Sequence, residues 1–483
     1  MQNSHRQLNI KEIFTKHYAW IIILFSLPFI LCATIIILPT FDDWTSLIAP
    51  SNEPFFIKER FLFYGYHWRP FDSTFGWIVG KNPKILFPLL NHICVVIGHV
   101  GCTFLIYQLT LLFQFNRLAR SISILFYFFT PAMLATVLAV DGLNQTYANF
   151  WGLVAAISYI KQKGKIKYIL YFLFIVISTL CKENGLMWAI VVPVLYYGFD
   201  RISFNILKKD LLIGFGIILL YAIAIFLLPK DIDIHPEYIP TGSKVINSIL
   251  KFILSTWFAV DFVYLFYIPD RNLLIAGITI LLSLPLLFYI FRPSNIKNKV
   301  IIFLLLCQII AVAPHLLTTF SMMHTYAGLS FSALIIGYTF HSIHKYKFII
   351  IAFILYMTAA LFVDIHLWST SYESGLIGKN MAKEAIQKTV KPVDKVYLII
   401  IEEDFKKVSS FRVIPSDAFG WGIAAQYETD YTWPKMINDT IIERSPNSIV
   451  RAHEIAKETL NNHDFDCVWI INHKDIEVIN NYH

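Results

Sequence analysis

The chain has 483 residues, of which 56% are hydrophobic and only 15% are charged. A soluble globular protein carries roughly 25% charged residues, so this composition excludes a soluble protein and indicates many membrane spans. The net charge of +7 does not indicate nucleic-acid binding, because the basic residues fall in short loops between apolar runs, where they fix orientation in a membrane.

The first apolar run covers residues 20–38 and follows a basic segment that contains Arg6, Lys11 and Lys16. This run is long for the core of a signal peptide, and no small-residue cleavage site follows it. We therefore expect a retained first span with a cytoplasmic N-terminus.

A large hydrophilic loop, residues 41–83, follows the first span and begins with Asp42, Asp43 and Trp44. A carboxylate can accept the proton of an attacking hydroxyl, so we predict that Asp42 or Asp43 is catalytic and that Trp44 contacts the substrate. The alternative is a purely interfacial role, in which the carboxylates end a span and Trp44 belongs to the aromatic belt.

The same loop contains the sequence His67-Trp68-Arg69-Pro70. Arginine can grip a phosphate with its planar fork, and a following proline keeps Arg69 out of the helical conformation. We predict that Arg69 binds a phosphate and that His67 and Trp68 contact the substrate. The alternative is an arginine that reaches lipid headgroups.

Ten further apolar runs predict additional spans: 85–113, 121–140, 146–160, 168–180, 186–197, 211–228, 273–291, 300–317, 326–341 and 348–363. The segment 245–268 contains Lys251 and Asp261 and could cross as well. If it is instead re-entrant or interfacial, all five lysine- and arginine-rich loops fall on the cytoplasmic side, as orientation in a membrane favours: 114–120, 161–167, 200–210, 292–299 and 341–347. The sequence therefore predicts a mainly α, polytopic membrane protein with about 11 transmembrane helices.

The last part of the chain, residues 365–483, is soluble in character, and we expect the transmembrane domain to end at residue 364. Residues 395–401 and 467–471 are rich in β-branched residues and predict buried strands. Residues 382–390 and 448–460 predict amphipathic helices. This pattern indicates a small C-terminal α/β domain, which the predicted topology places outside the cell membrane with the 41–83 loop.

Four later connections face the same predicted outer side, 141–145, 181–185, 229–244 and 318–325, and two of them supply further candidate residues. Lys182 and Glu183 join two apolar runs almost without a loop, and a charge at membrane depth tends to mark function. We predict Lys182 as a second phosphate-binding group and Glu183, His324 and Tyr326 as substrate contacts. The alternatives are a compact surface turn for the Lys-Glu pair and an ordinary interfacial hydrogen-bonding role for His324.

The order of short motifs resembles the glycosyltransferase-C superfamily of polyprenyl-phosphate-sugar-dependent transferases. It looks closest to the bacterial lipopolysaccharide-core transferase-like group and to the transmembrane O-mannosyltransferases that carry tetratricopeptide repeats. The motifs are the aspartate pair, Arg69-Pro70, Asn91-His92, Thr130-Pro131 and Lys182-Glu183. The chain lacks tetratricopeptide repeats after residue 363 and lacks a WWDYG-type sequence, so protein glycosylation is less supported than modification of a glycan or lipid.

The resemblance implies an inverting sugar transfer from a polyprenyl-phosphate donor to a cell-envelope glycan, lipid or protein. It implies a multi-pass protein of a bacterial inner membrane, with the active site and C-terminal domain facing the periplasm. A first-loop aspartate, Asp42 or Asp43, would be the general base, and Arg69 or Lys182 would hold the donor phosphate. A divalent cation near the carboxylates is conceivable, but two carboxylates are too few ligands to assert a metal site.

Three alternatives remain open. An O-antigen ligase or polymerase would also use lipid-linked sugars, but with its key arginines in late outer loops, and residues 318–325 contain no arginine. A transporter or flippase of lipid-linked sugars would show charged or broken spans near the bilayer middle and two related halves. A non-catalytic relative would only bind a partner.

Overall fold

The structure is a computed structural model that describes residues 10–40, 43–44, 69–227, 241–260, 273–317, 320–343, 346–390, 392–402, 413–430, 432–462 and 464–480. Three predicted site residues, Asp42, His67 and Trp68, lie outside the described residues, as does most of the 41–83 loop.

The N-terminal part of the chain is helical, as the apolar runs predict. Its helices are α1 (Ile10–Ile35), α2 (Pro70–Gly80), α3 (Pro83–Leu86), α4 (Leu89–Leu112), α5 (Arg117–Phe129), α6 (Pro131–Val137), α7 (Leu143–Lys161), α8 (Gly164–Cys181), α9 (Trp188–Gly198), α10 (Phe204–Leu227), α11 (Gly242–Trp257), α12 (Leu273–Ile290), α13 (Pro293–Ile296), α14 (Lys299–Leu316), α15 (Tyr326–Ser342) and α16 (Tyr346–Lys388).

Six of the described helices are long and apolar enough to cross a membrane, or seven if the bent pair α5 and α6 is one span. The six are His17–Ile35 within α1, then α4, α8, α10, α14 and Lys347–Lys388 within α16. Helix α11, at the start of the segment predicted to be re-entrant or interfacial, is not one of them. The prediction of a polytopic helical membrane protein is therefore confirmed at this level.

Large apolar side chains cover the outside of these helices. Phe25 on α1 is 75% exposed, and Leu212 and Phe226 on α10 are 73% and 78% exposed. A soluble protein rarely exposes so much contiguous apolar surface, whereas hydrocarbon tails cover it at no cost. These surfaces are consistent with contact between the bundle and lipid.

The apolar run at residues 121–140 is broken in the structure. Helix α5 ends at Phe129 and α6 begins at Pro131, with an angle of 48° between them. Proline has no N–H to continue the hydrogen-bond ladder of α5, and its ring clashes with the preceding turn. The buried hydroxyl of Thr130 at the junction is hydrogen-bonded to Tyr356 Oη at 3.1 Å. Because Tyr356 belongs to α16, this bond ties the junction between α5 and α6 to that helix.

The five basic loops meet at one end of the bundle. Three contacts join loops directly: Asn116 N–H with His341 Nδ1 (3.1 Å), Lys299 with Asp200, and Lys167 with Asp210 (3.5 Å). In a fourth contact, Arg201 Nη2 donates to the carbonyl of Leu112 at the end of α4 (2.9 Å). The grouping agrees with the prediction that these loops share one side of the membrane. We refer to this end as the basic-loop end.

The C-terminal part contains a four-stranded sheet in the order β2-β1-β3-β4. Its elements are β1 (Lys395–Ile401), α17 (Pro415–Ala418), α18 (Ile423–Glu428), β2 (Met436–Ile442), α19 (Ser448–Asn461), β3 (Cys467–Asn472) and β4 (Asp475–Asn480). Strand β1 pairs in parallel with β2 and β3, and β4 returns antiparallel to β3. The predicted strands at 395–401 and 467–471 therefore form the middle of the sheet, and the predicted helix at 448–460 is α19.

Helix α16 joins the two parts without interruption. Its 43 residues run from the basic-loop end to the sheet, so the predicted boundary at residue 364 falls inside a helix and the division into domains stays a prediction. Next to α16, one hydrophobic core contains side chains from both parts of the chain, among them Trp44, Phe87, Phe419 and Trp469.

Trp44 is the centre of this contact and is 4% exposed. Its ring lies 6.0 Å from that of Phe87 and 5.7 Å from that of Tyr427, and its Nε1 donates to the Ala418 carbonyl at 3.3 Å. Gly420 has a φ of +60°, and a Cβ there would lie 2.3 Å from Trp44 Cδ1. Only glycine therefore fits both the backbone conformation and the ring.

We expect Gly420→Ala to destabilise the docking of the C-terminal sheet by about 1–3 kcal/mol, because alanine is strained at this φ and collides with Trp44. Limited proteolysis and thermal unfolding of the purified full chain measure this effect. Gly216→Ala, on α10 with open space around it, is the matched control. Equal proteolysis of the two variants would contradict the close packing of Gly420 and Trp44.

Candidate functional site

Asp43 lies in a short turn after α1 and is 7% exposed. Its Oδ1 accepts the backbone N–H groups of Val140 (2.8 Å) and Asp141 (3.1 Å), and its Oδ2 accepts that of Thr40 (3.1 Å). The carboxylate thereby joins the end of α1 to the turn between α6 and α7. This geometry fixes both oxygens of the predicted base.

The same environment changes the pKa of Asp43. Burial disfavours the charged carboxylate, and the negative charge of Asp141 adds to this effect, so the pKa is raised to about 8 although three backbone N–H donors oppose the shift. A group with such a pKa can hold and release a proton near neutral pH, as a general base must.

Arg69 is paired with Glu183. Its Nε donates to Glu183 Oε2 at 2.8 Å and its Nη2 donates to Oε1 at 2.6 Å, a two-pronged ion pair between the first loop and the connection after α8. The two side chains are 19% and 29% exposed. Arg69 precedes α2 with a φ of −125° and a ψ of 67°, so Pro70 does keep it out of the helix.

Lys182 forms the second half of the cluster and is 4% exposed. Its Nζ donates to Asn144 Oδ1 at 3.2 Å, and the Nδ2 of Asn144 donates to Asp72 Oδ2 at 3.3 Å. The amide of Asn144 therefore links a cation to a carboxylate. The structure brings the predicted residues Arg69, Lys182 and Glu183 together, with Asp72 and Asn144 between them.

The charged groups of the cluster shift one another's pKa values. Burial, and next the charge of Arg69, lower the pKa of Lys182 to about 8, against the attraction of three carboxylates. Burial also raises the pKa of Asp72, although Arg69 and Asn144 favour its charged form. The charge of Asp141 acts to raise the pKa of Asp43, Arg69, Asp72 and Lys182, so Asp141 lies near both Asp43 and the Arg69–Lys182 cluster.

The turn that carries Lys182 and Glu183 is tightly packed. A Cβ on Gly185 would lie 2.4 Å from the backbone carbonyl of Ser178 at the end of α8. The absence of a side chain lets the chain fold back against α8, and Gly185 N donates to the Lys182 carbonyl at 2.9 Å. This close approach directs the two charged side chains into the site.

His324 lies beside the cluster and is stacked on His315, with ring centroids 3.8 Å apart and planes 4° apart. Its Nδ1 accepts the backbone N–H of Ser321 at 3.1 Å. Burial, then the charges of His315 and Lys182, hold its pKa well below the usual value. His324 is therefore neutral at pH 7 and offers a hydrogen bond rather than a charge.

Tyr326 lies apart from the charged cluster, inside the bundle. Its hydroxyl is hydrogen-bonded to His99 Nδ1 at 2.9 Å. Nearby, Asn149 Nδ2 donates to Tyr127 Oη at 3.0 Å and to Ser330 Oγ at 3.1 Å. These residues form an interior polar group between α4, α5, α7 and α15, and the role of Tyr326 as a substrate contact stays a prediction.

Trp44 is engaged in the interface with the C-terminal sheet described above, so the described structure uses its ring for packing. Its predicted role at the substrate stays untested. The sequence alone does not mark Asp72 as a site residue, although an acidic residue in the first turn of a helix that begins with proline is a recognisable start signal. That signal indicates helix α2 but not its contact with Asn144.

A divalent cation has no assembled ligand set within the described ranges, where no three His, Cys, Asp or Glu side chains converge as a metal would require. The chain matches no protein-family model, and a search of curated proteins gave no significant match.

Proposed function

We propose that the protein is an inverting glycosyltransferase that moves one sugar from a polyprenyl-phosphate donor to a cell-envelope glycan, lipid or protein. The observation that carries the proposal is the group of charged side chains Arg69, Lys182, Asp43 and Asp141 at the end of the first candidate span. Two cations and a carboxylate of raised pKa, all within reach of the charge of Asp141, suit a reaction that removes a proton from a hydroxyl and releases a phosphate.

The roles follow from that chemistry. The acceptor hydroxyl attacks the anomeric carbon while its proton passes to Asp43, or to Asp42, its neighbour in the chain. The bond from the anomeric carbon to the phosphate oxygen breaks, and its electrons stay on the polyprenyl phosphate. Arg69 and Lys182 stabilise the charge that develops there. Glu183 keeps Arg69 in place until the donor phosphate takes over one of its N–H groups.

The location of the site supports a lipid-linked donor. Asp43 follows α1 at the end remote from the basic-loop end, and the C-terminal sheet docks over the same side. The proposed count of about eleven takes the shorter helices α7, α9, α12 and α15 as further crossings beyond the seven candidate spans, and α11 does not cross. Under the positive-inside rule, the site and the C-terminal domain then face the periplasm of a bacterial inner membrane.

Purified full-length protein, incubated with radiolabelled polyprenyl-phosphate sugars and cell-envelope acceptors, tests the proposal. We expect one donor to be consumed and its sugar to appear on an acceptor with inverted anomeric configuration. Survival of every donor in the presence of acceptors would contradict the proposal.

The pH profile provides a second test. Asp43 accepts a proton only above its pKa of about 8, and Lys182 keeps its charge only below its own pKa of about 8. We therefore expect kcat/KM to peak near pH 8 and to fall by about tenfold per pH unit on either side. Lys182→Arg should abolish the alkaline decline, because a guanidinium stays charged. Lys165→Arg, on an exposed position of α8, should keep it.

A transporter or flippase of lipid-linked sugars is the second candidate. It is favoured by the interior polar group and by Gln145, which is fully buried and whose amide makes no hydrogen bond to any described residue. In vesicles loaded with a fluorescent lipid-linked sugar, movement of the lipid between leaflets without sugar transfer would support this candidate over the transferase.

A further inference from the structure

A cavity of about 300 Å³ opens at the basic-loop end, where α1, α4 and α5 meet. This volume is at the lower limit of ordinary small-molecule sites. The cavity lies far from the Arg69 and Lys182 cluster in the fold, since the spans separate the two ends. Its lining consists of His17, Ala19, Trp20, Tyr107, Arg117, Arg120, Ser121 and Ile124.

The cavity is cationic. Arg117 and Arg120 are three residues apart on α5, so both side chains lie on the same face of the helix. Neither forms an ion pair with any carboxylate in the part of the chain that the structure describes, and the buried Nε of Arg120 donates no hydrogen bond there. Both arginines belong to the first turn of α5, where the helix dipole adds positive potential.

The remaining lining indicates a membrane boundary. His17 is the first residue of a candidate span, and Trp20 contacts Tyr107 edge-on with ring centroids 5.7 Å apart. Tryptophan and tyrosine concentrate at the level of the lipid headgroups. The wall of the cavity is therefore apolar toward the bundle and cationic toward the end of the span.

We propose that this cavity binds a phosphate group through Arg117, Arg120 and the hydroxyl of Ser121. Two guanidinium groups and a hydroxyl match the oxygens of a phosphate. Two sources share that chemistry: the headgroup of a phospholipid in the adjacent leaflet, and free phosphate. The site is independent of the proposed transferase activity, because no residue is common to the two.

Native mass spectrometry and thermal unfolding of the purified full chain in a neutral detergent test the proposal. The probes are dioctanoyl-phosphatidylglycerol, dioctanoylglycerol, which has the same chains but no phosphate, and inorganic phosphate. We expect one bound phosphatidylglycerol and a raised Tm, and little effect of dioctanoylglycerol. Arg117→Gln and Arg120→Gln should each weaken binding about tenfold or more, as the loss of a charge-assisted hydrogen bond does.

Lys165→Gln removes a charge at the same end of the bundle but outside the cavity, so it should bind as the wild type does. Arg117 is exposed, so Arg117→Gln keeps the test valid if Arg120→Gln fails to fold. Arginine-dependent stabilisation by inorganic phosphate alone would identify free phosphate as the source. Equal binding of dioctanoylglycerol, or phosphatidylglycerol binding that neither arginine variant weakens, would overturn the proposal.

Discussion

Replacing Asp43 with asparagine should lower the rate of sugar transfer by roughly 10²–10⁴-fold, because asparagine cannot accept the proton of the acceptor hydroxyl. The fold should survive the change. The amide oxygen can still accept the N–H groups of Val140 and Asp141, and of these three backbone hydrogen bonds the one from Thr40 is lost, at about 1 kcal/mol. A loss confined to kcat, with KM for the donor near the wild-type value, identifies a group that acts in the transition state.

The measurement is steady-state transfer with the donor that the wild type consumes, at pH values on both sides of 8. Asp464→Asn, an exposed position before β3, is the matched control and should leave transfer unchanged. Asp42→Asn separates the two neighbours: the variant with the larger loss of kcat carries the base. If both variants transfer sugar at the wild-type rate, neither aspartate is the base, and the pair only marks the end of a span at the membrane interface.

Arg69→Ala should lower kcat/KM by about 10²–10³-fold, the cost of removing a donor that stabilises developing charge. Donor binding should weaken as well, because the guanidinium also holds the phosphate in the ground state. Arg69→Lys should recover part of the loss, since it restores the charge but not the planar fork.

Two further variants make this result specific. Glu183→Gln removes the charge of the partner but not the guanidinium that binds the phosphate, so its loss in kcat/KM should be much smaller than that of Arg69→Ala. Arg451→Ala, on an exposed position of α19, is the matched control. If Arg69→Ala and Glu183→Gln are equally impaired, the ion pair is only a structural link between the first loop and α8.

The helices and the central strands could be predicted from the sequence because their signals are local. Apolar runs of membrane length and the β-branched residues of β1 and β3 depend only on neighbouring residues. The break at Thr130 was not predicted. A proline inside an apolar run can interrupt a helix, but whether it does so and at what angle depends on how α6 packs within the bundle.

The site was predictable as a set of residue types and not as a set of contacts. Arg69 and Glu183 are 114 residues apart, and no local pattern states that they pair. From its neighbours Trp44 is predicted as a substrate contact, with the aromatic belt as the alternative, whereas its hydrogen-bond partner Ala418 lies 374 residues further on. Asp72 needed its contact with Asn144 before its place in the site could be recognised.

The unbroken course of α16 has a geometric consequence for the C-terminal sheet. A helix of 43 residues is about 65 Å long, roughly twice the thickness of the hydrocarbon core. Each residue of such a helix also advances the chain by about 100° around its axis. The number of residues between the bundle and the sheet therefore sets both the distance of the sheet along the axis of α16 and its rotation about that axis. The rotation decides whether Ala418 faces Trp44.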